Sequence, residues 1–184
     1  MSMLEEMIGL LTGRFSNAEQ AAELQKQNPA FPLAEHRNTA CNDKIRNLPE
    51  GFAGVFVVEE SYYTIGGRTN ASPHLFLFTE EADGTVKLTS YDLPDGCSKM
   101  DFNYQTMPQT DYAGLRPSAK FTPAVYRRNN GVWEGGSESM FTPVLKFTLF
   151  ERFSEDMLEV SESMEMNGKR TFGYDQPILY RRAQ

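Results

Sequence analysis

Apolar residues recur along this chain with two periods, a helical one near the N-terminus and an alternating one over most of the rest. Within residues 2–13, the spacing i, i+3, i+4 and i+7 is occupied by Leu4, Met7, Ile8 and Leu11. This spacing places the four side chains on one face of a helix. Ser2 with Glu5 fits a capping box, and Gly13 suits the helix end. A second capping box, Ser16 with Glu19, predicts another helix over residues 16–26.

After residues 29–32 the apolar positions alternate with polar ones, which is the period of a β-strand. The alternating segments are rich in Phe, Tyr, Val and Thr and are separated by turn sequences. Ten strands are predicted at 35–45, 53–65, 74–79, 86–91, 118–127, 132–141, 144–153, 157–166, 170–174 and 178–182. The two-residue turn Asn167-Gly168 should pair Met166 with Lys169 and Glu165 with Arg170. Residues 97–116 are predicted to form the longest loop.

Many short strands joined by hairpin turns, with no helix between them, predict an antiparallel meander. Closing such a sheet into a barrel removes its exposed edges. The chain has 184 residues, which is the length of one domain with a sizeable core. We therefore predict a single all-β domain over 1–184, an antiparallel β-barrel with N-terminal helices.

Charge and composition narrow the range of partners and locations. A formal net charge of −7 argues against nucleic acid or an anionic membrane as a general partner. No apolar run is long enough to span a bilayer, and the N-terminus lacks the basic start of a secretory signal, so we predict a cytoplasmic protein. Cys41 and Cys97 show no metal-ligand spacing and are predicted to be free thiols.

Two carboxylates and two phenols on the apolar strand 53–65 are the strongest functional signal in the sequence. Alternation puts Glu59 and Tyr63 on one face and Glu60 and Tyr62 on the other. One pair must then point into the barrel and the other out of it. A carboxylate inside a barrel is costly unless it meets a donor or a ligand. Two interpretations stay open: the inward Glu pairs with an internal Arg or Tyr, or it faces a ligand.

The other candidate residues are basic or aromatic. Arginine suits carboxylate groups because its planar fork binds them bidentately. The basic candidates are Arg68, Arg127, Arg128, Arg170, Arg181 and Arg182. His36 and His74, the only histidines, lie in separate strands and predict no metal site. Trp133, between Gly131 and Gly135, suits a core or rim position.

Several segments resemble the CpcT/CpeT-type phycobiliprotein (chromophore) lyase family, and together they run along nearly the whole chain. The most specific is Phe15-Ser16-Asn17 with Gln20-Ala21. Val58-Glu59-Glu60-Ser61-Tyr62 is similar to the family's Val-Glu-Gln-x-Tyr, and the residues from Thr171 to Arg182 are similar to its closing strands. Pro73-His74-Leu75 stands where the family has Pro-Tyr-Arg, so Arg68 is the candidate replacement for that arginine.

The resemblance implies a calycin-type, lipocalin-like barrel that binds a bilin, a linear tetrapyrrole, without a covalent bond. Such lyases hold the bilin and present it to a cysteine of a phycobiliprotein acceptor subunit. Pyrrole N–H groups would face a carboxylate, propionates would face arginines, and the conjugated system would face aromatic walls. The expected ligand-binding residues are Glu59, Glu60, Tyr62, Tyr63, Arg68, His74 and Trp133; no catalytic residue is assigned.

Two other function classes remain beside the bilin lyase. One is a non-enzymatic barrel that binds another small apolar ligand, and the other is a module that docks a protein partner. The sequence leaves open whether the protein is an enzyme and whether it forms a homodimer.

Overall fold

The computed structural model describes residues 1–183. Within these residues there are two α-helices, α1 (Met3–Leu11) and α2 (Ala18–Leu24). The strands are β1 (Gly13–Ser16), β2 (Leu33–Ala40), β3 (Ile45–Arg46), β4 (Val55–Ile65), β5 (Arg68–Glu80), β6 (Val86–Tyr91), β7 (Thr110–Asp111), β8 (Ala124–Asn129), β9 (Val132–Thr142), β10 (Leu145–Phe153), β11 (Met157–Met166), β12 (Lys169–Gly173) and β13 (Ile178–Arg182).

Ten of the strands close into one antiparallel barrel in the order β1-β2-β4-β5-β6-β8-β9-β10-β11-β13, with β13 paired back to β1. Strand β12 forms a hairpin on the second half of β11, while β13 pairs with the first half. The two-residue strands β3 and β7 pair with each other outside the barrel. The predicted all-β, calycin/lipocalin-like barrel with N-terminal helices is therefore confirmed.

The hairpin between β11 and β12 has the predicted register. Met166 pairs with Lys169, and Glu165 pairs with Arg170. Asn167 and Gly168 have φ angles of 51° and 74°, in the left-handed region that a two-residue hairpin turn requires. Local turn chemistry is therefore sufficient to set this part of the barrel.

The start of the chain differs from the prediction at the second helix. Ser16 belongs to strand β1, where it pairs with Glu35 and Arg181. Helix α2 begins only at Ala18, and its N-cap is Asn17, so the predicted capping box of Ser16 and Glu19 is wrong. Ser16 is held in extended backbone by two neighbouring strands, and strand pairing overrides the local helix signal.

Helix α1 lies across one end of the barrel, which we call the closed end. Its apolar residues Leu4, Met7 and Leu11 are buried in the barrel core. The backbone N–H of Leu4 donates to Glu80 at 3.0 Å, and the Asn38 amide donates to the Leu11 carbonyl at 3.0 Å. Ser2 and Glu5 form the predicted capping box. The amphipathic face of α1 therefore covers the apolar surface at this end.

A second layer covers the outside of β4 and β5. The outward side chains of these strands, among them Phe56 and Val58, pack against Phe102, Met107 and Leu115 of the connection between β6 and β8. That connection contains the predicted long loop. Residues 56–58 of β4 and 75–78 of β5 are consequently buried on both faces, which explains their continuous apolar sequence.

Helix α2 is tied to the barrel by two amide side chains. Asn17 donates to the Pro32 carbonyl at 3.0 Å and accepts from the Ala34 N–H at 2.7 Å. Gln20 donates to the Pro177 carbonyl at 2.9 Å and accepts from the Leu179 N–H at 2.9 Å. These bonds give Asn17 and Gln20 of the N-terminal segment a structural role, because they fasten the helix to the start of β2 and β13.

Gln20→Ala is expected to lower the free energy of unfolding by about 1–3 kcal/mol, since two net hydrogen bonds are lost. Gln27→Ala is the matched control: Gln27 is exposed, and its loss should change the free energy by less than about 0.5 kcal/mol. Urea unfolding of both variants provides the measurement. Equal stability of the two would contradict the role given to Gln20.

Candidate functional site

A cavity enters the barrel from the end opposite α1, which we call the open end. Its outer part has a volume of about 340 Å³ and its deeper part about 40 Å³. The two parts share four lining residues: His74, Phe121, Phe147 and Glu162. The deeper part is therefore the continuation of the outer part into the barrel.

Three glutamates line the deeper part, and we call them the inner carboxyls: Glu59 on β4, Glu151 on β10 and Glu162 on β11. Each one accepts a hydrogen bond from a neutral hydroxyl. Ser61 donates to Glu59 at 3.1 Å, and Tyr63 donates to Glu162 at 3.3 Å. The Tyr126 hydroxyl donates to Glu151. The barrel thus brings together three acids from well-separated positions in the chain.

The surroundings of the inner carboxyls favour their protonated forms. Burial raises the pKa of all three, that of Glu151 to about 7. The pKa of Glu59 is raised well above its ordinary value by burial and by the charges of Glu151 and Glu162. Because charges this close in a poorly solvated site repel, the three groups do not ionise independently. Burial and mutual repulsion therefore oppose simultaneous ionisation of the three acids at the base of the cavity.

Both histidines near the cavity are neutral. Burial lowers the pKa of His36 to about 3 and that of His74 to about 4, with the nearby Lys99 and Lys120 also lowering the latter. The Nε2 atom of His36 shares one hydrogen bond with the Ser61 hydroxyl at 3.2 Å. Its Nδ1 atom has no hydrogen-bond partner. Neither histidine therefore supplies a positive charge to the inner carboxyls.

Three phenylalanine rings, Phe121, Phe141 and Phe147, form an aromatic rim around the outer part of the cavity. Phe141 and Phe147 are stacked with centroids 5.6 Å apart, and Phe121 meets both edge-on at 5.0 and 5.8 Å. The Lys120 ammonium lies 4.1 Å from the Phe141 centroid, a cation–π contact. Lys99 also lines this part. The mouth is therefore apolar and positively charged.

The alternation on β4 divides its predicted site residues as expected. Glu59 and Tyr63 line the cavity. Glu60 and Tyr62 point outward, where the Tyr62 hydroxyl donates to Glu60 at 2.6 Å. Glu60 is nevertheless only 7% exposed, because the loop around Tyr104 covers it. The outward pair therefore has a packing role and no access to the cavity.

The other predicted site residues are not all at the cavity. His74 lines both of its parts. Arg68 is exposed at the start of β5 and is absent from the lining of both parts. Trp133 is fully buried in the core cluster that also contains Leu4 and Met7 of α1. The structure thus brings Glu59, Tyr63 and His74 together and leaves Arg68 and Trp133 elsewhere.

Sequence reasoning missed several residues of the cavity: Glu151, Glu162, Lys99, Lys120 and the aromatic rim. Glu151 interrupts the apolar inward positions of β10, which is the same signal that identified Glu59 on β4. Lys99 lies in the predicted long loop, and Lys120 and Phe121 lie in irregular backbone, because β8 begins only at Ala124 and not at residue 118 as predicted. The two acids could have been found from the alternation, and so could Phe141 on β9 and Phe147 on β10.

The cysteines lie outside the cavity. Cys41 is fully buried among the outer residues of β4 and β5, and burial raises its pKa to about 12. Cys97 is half-buried in a separate surface pocket, and burial raises its pKa as well. Both are free, as predicted. Among residues 1–183, no group of three or more His, Cys, Asp or Glu side chains is placed to hold a metal ion.

No protein-family model matches the chain, and no curated protein matches it. In the part of the chain that the structure describes, none of the helices has the length and apolar character needed to cross a membrane.

Proposed function

We propose that this protein binds a bilin in its barrel cavity and, like a chromophore lyase, holds it for attachment to a cysteine of a phycobiliprotein subunit. The observation that carries the proposal is the order of chemistry along the cavity, from acids at the base through aromatic rings to lysines at the mouth. A bilin has the complementary groups: pyrrole N–H donors, a flat conjugated system and two propionates. The sequence resemblance supports the same ligand.

Each part of the cavity suits one part of such a ligand. The inner carboxyls can accept hydrogen bonds from pyrrole N–H groups, and such bonds strengthen when the acceptor is charged. The aromatic rim offers stacking and edge contacts to the conjugated rings. Lys99 and Lys120 can pair with the propionates, in place of the arginines that the resemblance suggested. The roles of carboxylate, wall and cation are thus filled by neighbouring residues.

The same geometry supports a carrier that presents its ligand without a covalent bond. Neither cysteine lines the cavity, so no thiol of this chain is placed to bond a bilin there. The outer cavity of about 340 Å³ is at the lower end of ligand pockets, which span about 300–1,000 Å³. A four-ring bilin would extend beyond the open end, where an acceptor subunit in the cytoplasm could reach it.

A second candidate function is a non-enzymatic barrel for another small apolar ligand, and the modest cavity volume favours it. Apolar side chains exposed around the open end would also suit contact with a protein partner or a second copy of the chain. These are Leu33, Ile65, Met140, Val144 and Met166. The bilin titration below separates these candidates, because only the first requires the tetrapyrrole to bind.

Glu59→Gln is expected to weaken the affinity for phycocyanobilin about tenfold, the effect of roughly 1.4 kcal/mol. Glutamine keeps the shape of the side chain but cannot ionise in response to the pyrrole N–H groups. The measurement is a titration followed by the visible absorption of the bilin.

Glu60→Gln is the matched control, because this neighbouring acid points away from the cavity and should leave the affinity unchanged. Equal affinities of the parent and both variants would remove Glu59 as an anchor. No binding by the parent would remove the bilin proposal and favour the second candidate.

A further inference from the structure

We propose that the open end of the barrel docks on an anionic lipid surface, with the three hairpins that surround the mouth in contact with the bilayer. These mouth hairpins are the turns of β4–β5 (64–69), β9–β10 (141–146) and β11–β12 (165–170). Such docking concerns a surface of the protein, is independent of which ligand the cavity holds, and so goes beyond the proposed function.

The lining of the cavity places these hairpins around its mouth. The outer part of the cavity is lined from both strands of each hairpin, by residues close to the turn. These residues are Tyr63 and Ser72 for the first hairpin, Phe141 and Phe147 for the second, and Met164 and Phe172 for the third. The three turns therefore lie beyond the cavity, at the outermost edge of the open end.

Each mouth hairpin exposes a large aliphatic side chain. Ile65, Val144 and Met166 are 40%, 48% and 48% exposed. Ile65 and Met166 continue the inward faces of β4 and β11, each two residues beyond a residue that lines the cavity, Tyr63 or Met164. Single exposed apolar side chains need no explanation, whereas a group of them around one opening indicates a contact surface.

The charge of the mouth hairpins is opposite to that of the whole chain. Their basic residues are Arg68, Lys146, Lys169 and Arg170, and their one acid is Glu165. They therefore carry a net charge of +3 in a chain of −7. A negative protein is repelled by an anionic membrane on average, but its field near this end attracts one.

Several cations at the mouth are free to meet an anionic surface. Arg68 and Lys169 are exposed and take part in no ion pair within residues 1–183. The same holds for Lys99 and Lys120 beside the aromatic rim. Pairing with lipid phosphates would therefore break no ion pair of these four side chains.

The order of side chains on each hairpin suits the layers of a bilayer surface. Each aliphatic residue is followed within three positions by a basic one: Ile65 by Arg68, Val144 by Lys146 and Met166 by Lys169. At a membrane interface, aliphatic side chains enter the boundary of the acyl chains, while long basic side chains reach back to the phosphates. All three mouth hairpins can therefore make the same kind of contact.

The spread of the aliphatic residues favours lipid over a protein partner. Strands β4 and β10 are opposite each other in the ring of ten strands, so Ile65 lies across the mouth from Val144. The apolar surface is thus divided by an open cavity. The core of a protein interface is continuous and closely packed, whereas fluid lipid can follow a divided surface.

Sedimentation of the intact protein with lipid vesicles tests the proposal. Vesicles of phosphatidylcholine with an equal amount of phosphatidylglycerol should bind the protein at least about tenfold more tightly than vesicles of phosphatidylcholine alone. High salt should reduce this difference, because it screens the attraction between the exposed cations and the lipid phosphates.

The triple variant Ile65→Ser, Val144→Ser and Met166→Ser should weaken binding to the anionic vesicles at least about tenfold, since it removes the aliphatic contacts. The matched control is Val125→Ser with Phe150→Ser, which removes exposed apolar side chains from the outer wall of β8 and β10 and should leave binding unchanged. All five side chains are exposed, so these substitutions keep the fold.

A second pair of variants tests the charge. Arg68→Gln with Lys169→Gln should weaken binding to the anionic vesicles about tenfold or more. Arg46→Gln with Arg127→Gln removes the same charge from exposed positions away from the open end and should leave the affinity unchanged. Equal losses in the two double variants would mean that total charge governs binding, which contradicts docking through this end.

A fluorescent reporter separates insertion from attraction by charge alone. The emission of Ile65→Trp should shift to shorter wavelength when anionic vesicles are added, because the new side chain leaves water. Val125→Trp should show no shift. The native Trp133 is fully buried and gives a constant background in both variants.

Absence of binding to the anionic vesicles, or equal binding of the triple variant and the parent, would overturn the proposal and leave the open end to a protein partner. Sedimentation equilibrium would then show whether that partner is a second copy of the chain. The phycocyanobilin titration contains no lipid, so the two proposals fail separately. Vesicle binding without bilin binding supports the docking surface and removes the bilin, and bilin binding without vesicle binding does the reverse.

Discussion

Gly136→Ala is expected to destabilise the barrel by about 3–5 kcal/mol, far more than one added methyl group usually does. A Cβ atom at position 136 would overlap the Leu149 carbonyl oxygen on β10 and lie 2.8 Å from the carbonyl carbon. These are backbone atoms of the β9–β10 ladder, so no change of rotamer relieves the overlap. The two strands must separate locally, and their hydrogen bonds are lost.

Gly9→Ala is the control, because this exposed glycine of α1 has open space around its Cα. Replacing a helical glycine by alanine should stabilise the protein by about 0.5–1 kcal/mol. The two substitutions add the same methyl group and are expected to shift the urea midpoint in opposite directions. A Gly136→Ala variant as stable as the parent would show that β9 and β10 can move apart at little cost.

Glu151→Gln is expected to stabilise the protein by about 3 kcal/mol at pH 8 and by little at pH 4.5. Burial raises the pKa of Glu151 from 4.5 to about 7. Its contribution to stability is fully present below the unfolded pKa and is lost as the pH rises toward about 7. Glutamine cannot ionise, so the variant avoids this loss, which at about 1.4 kcal/mol per pKa unit is on the order of 3 kcal/mol.

The comparison must be made between variant and parent at each pH, because the histidines act in the opposite direction. Burial lowers the pKa of His36 to about 3 and that of His74 to about 4, so their contributions are lost as the pH falls below about 6.5. Both proteins contain them, and their effect cancels in the difference.

Free energies of unfolding from urea titrations between about pH 4.5 and pH 8 provide the test, with Glu60→Gln as the control acid. A variant that is less stable than the parent at pH 8 would mean that Glu151 is ionised at no cost in the folded protein.

The parts of this fold that were predictable from sequence are those set by neighbours in the chain. Strands β6, β11 and β13 were predicted at their observed bounds, because alternation and turn residues are local signals. Strand β1 was missed: four residues are too few to show a period, and only pairing with β2 and β13 makes them a strand. The first half of β5 was missed because its small polar residues show no apolar alternation. Pairing with β4 makes it a strand.

The candidate site was predicted on only one strand. Alternation on β4 separated Glu59 from Glu60, and the barrel then decided which of them faces inward. Glu151 and Glu162 lie on a local hairpin, but their convergence on Glu59 depends on closure of the barrel by the pairing of β1 with β13, which no local pattern specifies. Lys99 and Lys120 reach the mouth through a connection that crosses the outside of β4 and β5. Tertiary packing, which sequence periods do not encode, places them there.

The helix across the closed end has a consequence for the sequence of events at the site. Because α1 packs over the closed end, a ligand of the cavity would enter and leave the barrel through the open end, at the aromatic rim. The part of an elongated ligand that goes in first is then the last to come out. Under the proposed function, an acceptor would react with the trailing part, so the orientation in which the ligand is loaded would determine which of its ends is delivered.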